Sequence, residues 1–404
     1  MSLIRPFRGL RPDAAHAAAV IAPPYDVLSS AEAREAVAGR PFSFLRISKA
    51  EVELPVDINA TDEAVFRQAA RNWARWRREV LIQDPTPCYY CYELTMGDHT
   101  QKGLVAAASV EAYAEGRIRR HELTRPDKER DRVRHIEALN AQTGPAFLTF
   151  RAQPDIAALL ARASEGQAAI DAVLNGVRHR LWVVADQDLI DRLTAAFERL
   201  PRVYIADGHH RTAAARIVAG SRGPQPGPHH AFLSVLFPDN EMQILNYDRV
   251  VADLHGLTVP GLLEALAALC EVRPEEAAVR PAGPAEFGMY LAGHWYRLRF
   301  RGARPKDAVA RLDVSLLQDQ VLAPLLGITD PRRDQRIEFV GGIRGPQALA
   351  ARVDRVGGVA FTLYPTGLAD LMEVADHDAV MPPKSTWFEP KLADGLVSYS
   401  LEDG

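Results

Sequence analysis

The sequence lacks the features that mark several common classes of protein. Only three cysteines occur in 404 residues, too few for the disulfide framework of a secreted scaffold. No apolar run reaches the roughly 18 residues of a membrane span, and the N terminus lacks the basic-then-apolar layout of a secretory signal. These absences predict a cytoplasmic protein without a membrane partner.

A surplus of basic residues is also missing. Lysine and arginine number 48 against 52 aspartates and glutamates, which gives a formal net charge of -4. Proteins that hold nucleic acid through its phosphates usually carry a basic excess, so the charge argues against a nucleic-acid partner. Neither the glycine–lysine phosphate loop nor the serine elbow of hydrolases occurs in the sequence.

Apolar residues are plentiful and follow regular patterns. They make up 47% of the chain, and about 150 residues per domain would give two or three structural units. The patterns predict a strand over 42–48, an amphipathic helix over 61–80, and alternating strands and helices over 181–219. That alternation predicts an α/β protein of the mixed α+β kind.

The most informative motif is Asp207-Gly208-His209-His210-Arg211, between a predicted strand and a predicted helix. Gly208 permits a tight turn, and a helix N terminus offers N–H groups and a positive dipole end to a phosphate. Arg211 adds a charged contact, while His209 and His210 donate or shuttle protons. Asp207 either orients a metal or accepts a hydroxyl proton. Alternatively, Asp207 caps the helix and the histidines are surface residues; five such residues together favour a phosphate site.

A second candidate is the stiff turn that Pro23 and Pro24 form before Asp26. Asp26 is either an acid–base or metal carboxylate facing Asp207, or a cap of the next helix. A Mg²⁺ site needs only one or two such carboxylates, because phosphate oxygens and water complete the coordination. Both interpretations of Asp26 stay open.

A third candidate is the charged stretch 119–128. His121, Glu122, Arg125 and Lys128 either clamp an anionic substrate and supply an acid–base pair, or belong to a solvated loop. Charge runs are usually solvated, so the residues alone leave both alternatives open.

Two further segments carry side chains of the kinds that bind ligands. Lys384 and Ser385 follow two prolines and suit a phosphate or a carboxylate, or else belong to a packed C-terminal strand. Cys88 and Cys91 have the spacing of zinc ligands, but no second pair follows, and these strand positions face opposite sides. We therefore assign no residue as a metal ligand.

The motifs resemble those of known families. The 207–211 motif resembles the ParB/sulfiredoxin-like superfamily, which uses such a strand–turn–helix to hold nucleotide phosphates. The chain as a whole is similar to the prokaryotic domain-of-unknown-function family one thousand and fifteen (DUF1015). That similarity rests on five motifs in one order, at 22–27, 121–128, 204–211, 243–250 and 381–388. Thr212 departs from the family pattern, where an aromatic residue is expected.

The resemblance implies a ParB/sulfiredoxin-like core with inserted elements. Residues 1–255 would form the catalytic region, with an insertion around 60–175, and residues 256–404 a C-terminal α+β region that contributes to the site. The implied reaction is phosphoryl transfer involving serine or phosphoserine, in the kinase or the phosphatase direction, with ADP or ATP and Mg²⁺. The alternative is a ParB-like nucleotide-binding regulatory protein without small-molecule chemistry.

These expectations assign roles to individual residues. The predicted catalytic residues are Asp207, His209, His210, Asp26 and Glu122. The predicted phosphate- or nucleotide-binding residues are Gly208, His209, His210 and Arg211. The predicted substrate-binding residues are His121, Arg125, Lys128, Lys384 and Ser385.

Overall fold

The structure is a computed structural model that describes residues 2–402. It divides the chain into two compact units, one of residues 1–242 and 390–404 and one of residues 243–389. The observed division therefore differs from the predicted one after residue 255. Residues just after 242 pair with strands of the second unit, whereas the last residues return to pair with the first.

The first unit contains thirteen strands within the described residues. They are β1 (Ile4–Arg5), β2 (Leu10–Pro12), β3 (Leu81–Gln83), β4 (Tyr89–Met96), β5 (His99–Ser109), β6 (Ile118–Arg119), β7 (Ala141–Gln142), β8 (Ala146–Phe150), β9 (Ile170–Leu174), β10 (Val177–Val184), β11 (Val203–Asp207), β12 (Ala231–Pro238) and β21 (Tyr399–Ser400). Its helices are α1 (Ala17–Val20), α2 (Ser30–Ala36), α3 (Leu45–Ser48), α4 (Glu63–Glu79), α5 (Val110–Ala114), α6 (Pro126–Leu139), α7 (Pro154–Ala163), α8 (Gln187–Glu198) and α9 (His209–Arg222).

A nine-stranded sheet forms the centre of the first unit. Its order is β6-β11-β8-β12-β5-β4-β10-β9, and β1 also pairs with β5. The β11–β6 and β12–β8 pairs are parallel and the others are antiparallel. Helices α7, α8 and α9 bury apolar residues in the same core as this sheet. The predicted mixed α/β class is confirmed, and the ParB/sulfiredoxin-like character of the core stays a prediction.

The helix predicted over 61–80 is confirmed as α4. The side chain of Asp62 accepts a hydrogen bond from the backbone N–H of Ala64 and caps the helix. The apolar stripe of α4 is buried in a second core cluster. The strand predicted over 42–48 is wrong, because α3 occupies this segment. Phe44, Leu45 and Ile47 are all buried in the cluster around α4, and a short, wholly buried apolar run does not distinguish a strand from a helix.

The second unit is built on a separate six-stranded sheet. The eight strands of this unit are β13 (Gln243–Leu245), β14 (Tyr247–Val251), β15 (Cys270–Glu275), β16 (Glu286–Leu291), β17 (His294–Phe300), β18 (Ile337–Gly341), β19 (Val359–Leu363) and β20 (Trp387–Glu389). Its helices are α10 (Val259–Leu269), α11 (Asp313–Leu317), α12 (Gly345–Val356) and α13 (Leu368–Asp376). The sheet order is β15-β17-β16-β19-β14-β18, and β13 pairs with β20 apart from it. None of the helices in residues 2–402 is long and apolar enough to cross a membrane.

Candidate functional site

The motif at 207–211 forms a strand–turn–helix. Strand β11 ends at Asp207, where its pairing with β8 is irregular between Ile205 and Asp207. Gly208 then has φ 93°, a left-handed conformation that an L side chain adopts only with strain. Helix α9 begins at His209, and no side chain caps its first turn. This geometry places the carboxylate of Asp207 beside the start of a helix.

Asp207 is held by two cations. Lys391 Nζ donates to Asp207 Oδ2 at 3.2 Å, and Arg211 Nη2 lies 3.9 Å from Asp207 Oδ1. The backbone N–H of Gly208 donates to Oδ1 at 2.7 Å. Burial on its own raises the pKa of Asp207, but Lys391 and Arg211 outweigh it and hold the pKa well below the usual range. Asp207 is therefore a persistent anion and a weak proton acceptor.

Arg211 connects this turn to the proline-rich N-terminal turn. Its Nη2 donates to Asp26 Oδ2 at 3.3 Å, and its Nη1 donates to the carbonyl of Pro145. The Nε of Arg211 is buried without a hydrogen-bond partner. Asp26, by contrast, keeps 39% of its side chain exposed. The structure thus brings Asp26 and Arg211 together, and Asp26 remains open to solvent.

A pocket lies next to Arg211. Arg211 lines it together with Tyr25, Arg132, Gly144 and Asp394. Within the described part of the chain, no other residue of 207–211 lines this pocket. The pocket therefore meets the motif through its guanidinium group and not through the turn that precedes the helix.

The pocket holds an arginine stacked on an aromatic ring and a buried carboxyl group. The guanidinium carbon of Arg132 lies 3.8 Å from the ring centre of Tyr25, a cation–π distance. Asp394 is only 2% exposed, and its Oδ2 has no hydrogen-bond partner. Burial raises the pKa of Asp394 to about 7, although Arg211 opposes the shift. The pocket therefore offers cations and a carboxyl group that titrates near neutral pH.

His209, in the first turn of α9, packs against His121. Residues two apart on a helix do not face each other, so His209 points away from the side of Arg211. The ring of His209 packs edge-on against that of His121, with 4.5 Å between centroids. Burial lowers the pKa of both imidazoles, to about 4 for His121. Both rings are neutral at pH 7, and Glu122 lies beside them.

The remaining candidates of the first unit lie around the start of α6. The Nε2 of His210 accepts a hydrogen bond from the backbone N–H of Arg125 at 3.1 Å. Arg125 is exposed and pairs with Asp127 at 2.9 Å. Lys128 is an exposed residue of the same helix. Thr212, at the position expected to be aromatic, is buried and donates to the carbonyl of Gly208.

Lys384 and Ser385 belong to the second unit. Lys384 has φ 58°, and its carbonyl accepts a hydrogen bond from Arg249 at 3.0 Å. Ser385 is buried, and its hydroxyl donates to the carbonyl of Pro382 at 2.6 Å. A binding role for these two residues stays a prediction.

Sequence reasoning missed Arg132 and Asp394 as pocket residues. Arg132 lies one helical turn after Lys128 in a charged helix, so the spacing was a usable signal. Asp394 is a lone acid between the apolar residues Leu392 and Leu396, and an acid is rarely buried without a partner. Both cysteines of the 88–91 pair are buried and free.

Comparisons with known proteins give one sequence match. The profile of the family described as "Protein of unknown function (DUF1015)" matches residues 4–315. No curated protein matches the chain.

Solved structures resemble the chain only distantly. A free serine kinase in complex with AMP has a TM-score of 0.35 at 12% identity, covering 71% of this chain and 86% of that one. SbnI with C-terminal truncation from Staphylococcus aureus has a TM-score of 0.36 at 12% identity, covering 72% and 85%. A conserved hypothetical protein from Pyrococcus furiosus has a TM-score of 0.35 at 14% identity, covering 74% and 96%. Structural similarities this weak support no conclusion about this chain.

The family match, in contrast, covers well over half of the sequence, and the chain belongs to the DUF1015 family.

Proposed function

We propose that this protein transfers a phosphoryl group between a nucleotide and serine or phosphoserine. The observation that carries the proposal is the pocket in which the guanidinium groups of Arg132 and Arg211 accompany the buried carboxyl group of Asp394. Serine has one carboxylate and one ammonium group, and phosphoserine adds a dianion. Two cations and one carboxyl group match this distribution of charge.

The substrate is oriented by charge in this proposal. Arg132 binds the α-carboxylate, because its stacking on Tyr25 at 3.8 Å fixes the plane of the guanidinium group. Asp394 binds the ammonium group, which favours the ionised carboxylate at neutral pH. Arg211 then faces the hydroxyl or phosphate end of the substrate. Arg211 lines the pocket, and in this proposal its guanidinium group binds a phosphate oxygen.

The chemical step depends mainly on positioning and charge neutralisation. In the kinase direction the serine hydroxyl attacks the terminal phosphorus of the nucleotide, and the bond to the bridging oxygen breaks. Asp26 takes the hydroxyl proton, since its side chain is 39% exposed and is less tightly held than that of Asp207. Asp207 instead positions Arg211 and Lys391, the two cations that stabilise the transferring group.

Mg²⁺ enters this scheme with the nucleotide. The ion prefers oxygen ligands and usually keeps several waters when it is bound through phosphates and one or two carboxylates. Phosphate oxygens and water would hold the ion, which leaves Asp26 to act as the base in this proposal. The chemistry that Mg²⁺ supplies is neutralisation of the phosphate charge.

A direct assay tests the proposal. The full-length protein is incubated with Mg²⁺ and serine plus ADP or ATP, or phosphoserine plus AMP or ADP, and phosphorus NMR follows the products. We expect turnover with one of these pairs. Arg211→Gln should lower kcat/KM by about 100-fold or more, and Asp26→Asn by roughly 100- to 10,000-fold. Arg216→Gln is the matched control, because Arg216 lies on the same helix and is exposed.

Three outcomes would contradict the proposal or one of its parts. Folded protein that turns over none of these pairs would exclude serine phosphoryl transfer. Nucleotide binding by calorimetry without any turnover would favour the regulatory alternative. Equal loss in Arg211→Gln and Arg216→Gln would remove Arg211 from the site.

A further inference from the structure

Three potential metal ligands converge beside the motif, away from the pocket. They are His121, Glu122 and His209, and their ligand atoms all lie within 4.8 Å of one another. His121 and Glu122 follow strand β6, whereas His209 begins helix α9. Strand β6 pairs in parallel with β11, the strand that precedes α9. The sheet therefore brings together residues that lie 88 positions apart in the sequence.

The ring of His121 is arranged as a metal ligand would be. Its side chain is 2% exposed, and its Nδ1 is buried without a hydrogen-bond partner. The ring is hydrogen-bonded to the backbone of Ile205, so the other nitrogen carries this bond. Histidines that bind metals almost always donate one N–H to a carbonyl or carboxylate, which fixes the tautomer and directs the other nitrogen at the ion. A buried nitrogen without a partner is otherwise costly.

His209 and Glu122 complete the set of donors. The Nε2 of His209 accepts a hydrogen bond from the backbone N–H of His121 at 3.4 Å. This hydrogen bond is long, so a metal would replace it at little cost in free energy. Glu122 is half-buried and supplies an oxygen and a negative charge. Two imidazoles and one carboxylate form a ligand set that is common in catalytic zinc sites and in sites for other first-row metals.

We propose that His121, Glu122 and His209 bind a divalent first-row transition metal, with Zn²⁺ as the test ion. Nitrogen donors select against Mg²⁺, which prefers oxygen, so this site is distinct from the nucleotide's ion. Ligand atoms around tetrahedral Zn²⁺ lie roughly 3.3 Å apart. Since the ligand atoms lie within 4.8 Å of one another, the side chains need to close by no more than about 1.5 Å on binding, and water or a substrate atom takes the fourth position.

The opposing interpretation is a packing contact without an ion. The edge-on rings at 4.5 Å form a stable aromatic pair by themselves. That interpretation leaves the His121 Nδ1 without a partner, and it predicts no stoichiometric metal binding. The two interpretations differ in one measurable quantity, the amount of metal that folded protein retains.

Metal analysis of the full-length protein tests the site. The protein is stripped with a chelator, reconstituted with Zn²⁺ in the presence of excess Mg²⁺, dialysed, and measured by elemental analysis and calorimetry. We expect one equivalent of zinc and a rise in Tm, because an ion that binds only the folded state stabilises it. Substitution with Co²⁺ should give the visible absorption bands of a site with nitrogen and oxygen ligands.

Variants separate the site from adventitious binding. Glu122→Gln keeps the size of the side chain and should weaken zinc binding by more than about tenfold, and His209→Gln should do the same. His230→Gln is the matched control, since His230 also adjoins a second histidine, His229, at 4.3 Å between ring centroids. No bound zinc in folded wild-type protein, or equal affinity in all three variants, would overturn the proposal. Either result leaves the phosphoryl-transfer proposal standing, because that proposal does not use this metal.

Discussion

Lys391 Nζ lies 3.2 Å from Asp207 Oδ2, although the two residues are 184 positions apart in the sequence. The ion pair exists because the last residues of the chain return to the first unit after the second unit is complete. The same returning segment carries Asp394 into the pocket beside Arg211. The surroundings of residues 207–211 are thus completed by residues 391 and 394.

Loss of Lys391 should affect both stability and activity. Lys391→Met removes one of the two cations beside Asp207 and leaves Arg211 and the N–H of Gly208, so we expect the free energy of unfolding to fall by about 1–3 kcal/mol. If the proposed reaction is right, kcat also falls, because a cation at the transferring group is lost. Urea denaturation and the phosphoryl-transfer assay measure the two effects. Lys102→Met is the control, since it breaks a comparable pair with Glu93 at 3.5 Å and should leave kcat unchanged.

Gly208→Ala tests the conformation of the turn. The left-handed φ of 93° strains an L residue, and an added Cβ would lie 3.2 Å from the Cα of Ala146. We expect a loss of about 1–2 kcal/mol in the free energy of unfolding. Gly220→Ala in the same helix has open space around it and should be neutral or stabilising by up to about 1 kcal/mol. A harmless Gly208→Ala would mean that the turn relaxes readily.

Asp394 should make stability depend on pH. Burial raises its pKa from the ordinary 3.8 to about 7 in the folded state. Its contribution is therefore fully present below pH 4 and is lost as the pH rises to 7, because the unfolded chain gives up this proton near pH 4 while the folded state keeps the buried carboxyl group protonated up to about pH 7. Relative to Asp394→Asn, the wild type should lose on the order of a few kcal/mol over this range.

Urea unfolding at several pH values measures this difference. The exposed Asp191→Asn variant is the control and should follow the wild-type profile. A constant difference between the wild type and Asp394→Asn from pH 4 to 8 would contradict the assignment.

Arg132→Lys tests how the amino acid is recognised. Lysine keeps the charge but loses the planar, two-pronged donor that stacks on Tyr25. If the proposed function holds, KM for serine or phosphoserine should rise by about tenfold or more, with kcat changed less. Arg130→Lys, at an exposed position of the same helix, should change neither constant. An unchanged KM in Arg132→Lys would assign the carboxylate to another residue.

Local patterns in the sequence were sufficient for the long elements and for the turn at 207–211. The stripe of α4 and the step from a buried strand through glycine to a helix are contained in a few consecutive residues. The short apolar run at 42–48 was assigned wrongly, because a wholly buried segment has no polar face to reveal its period. Whether a candidate residue lines the pocket could not be read from such local patterns.

By itself the sequence determined the long amphipathic helix α4, the strand–glycine–helix turn after Asp207, and which residues carry charge. Only the tertiary structure decided that Lys391 neutralises Asp207, that Arg132 and Asp394 share a pocket with Arg211, and that His121 meets His209. The physical reason is the distance along the chain over which each interaction acts. Propensity and turn chemistry act over a few residues, whereas ion pairs, burial and ligand clusters depend on which distant strands the sheet places side by side.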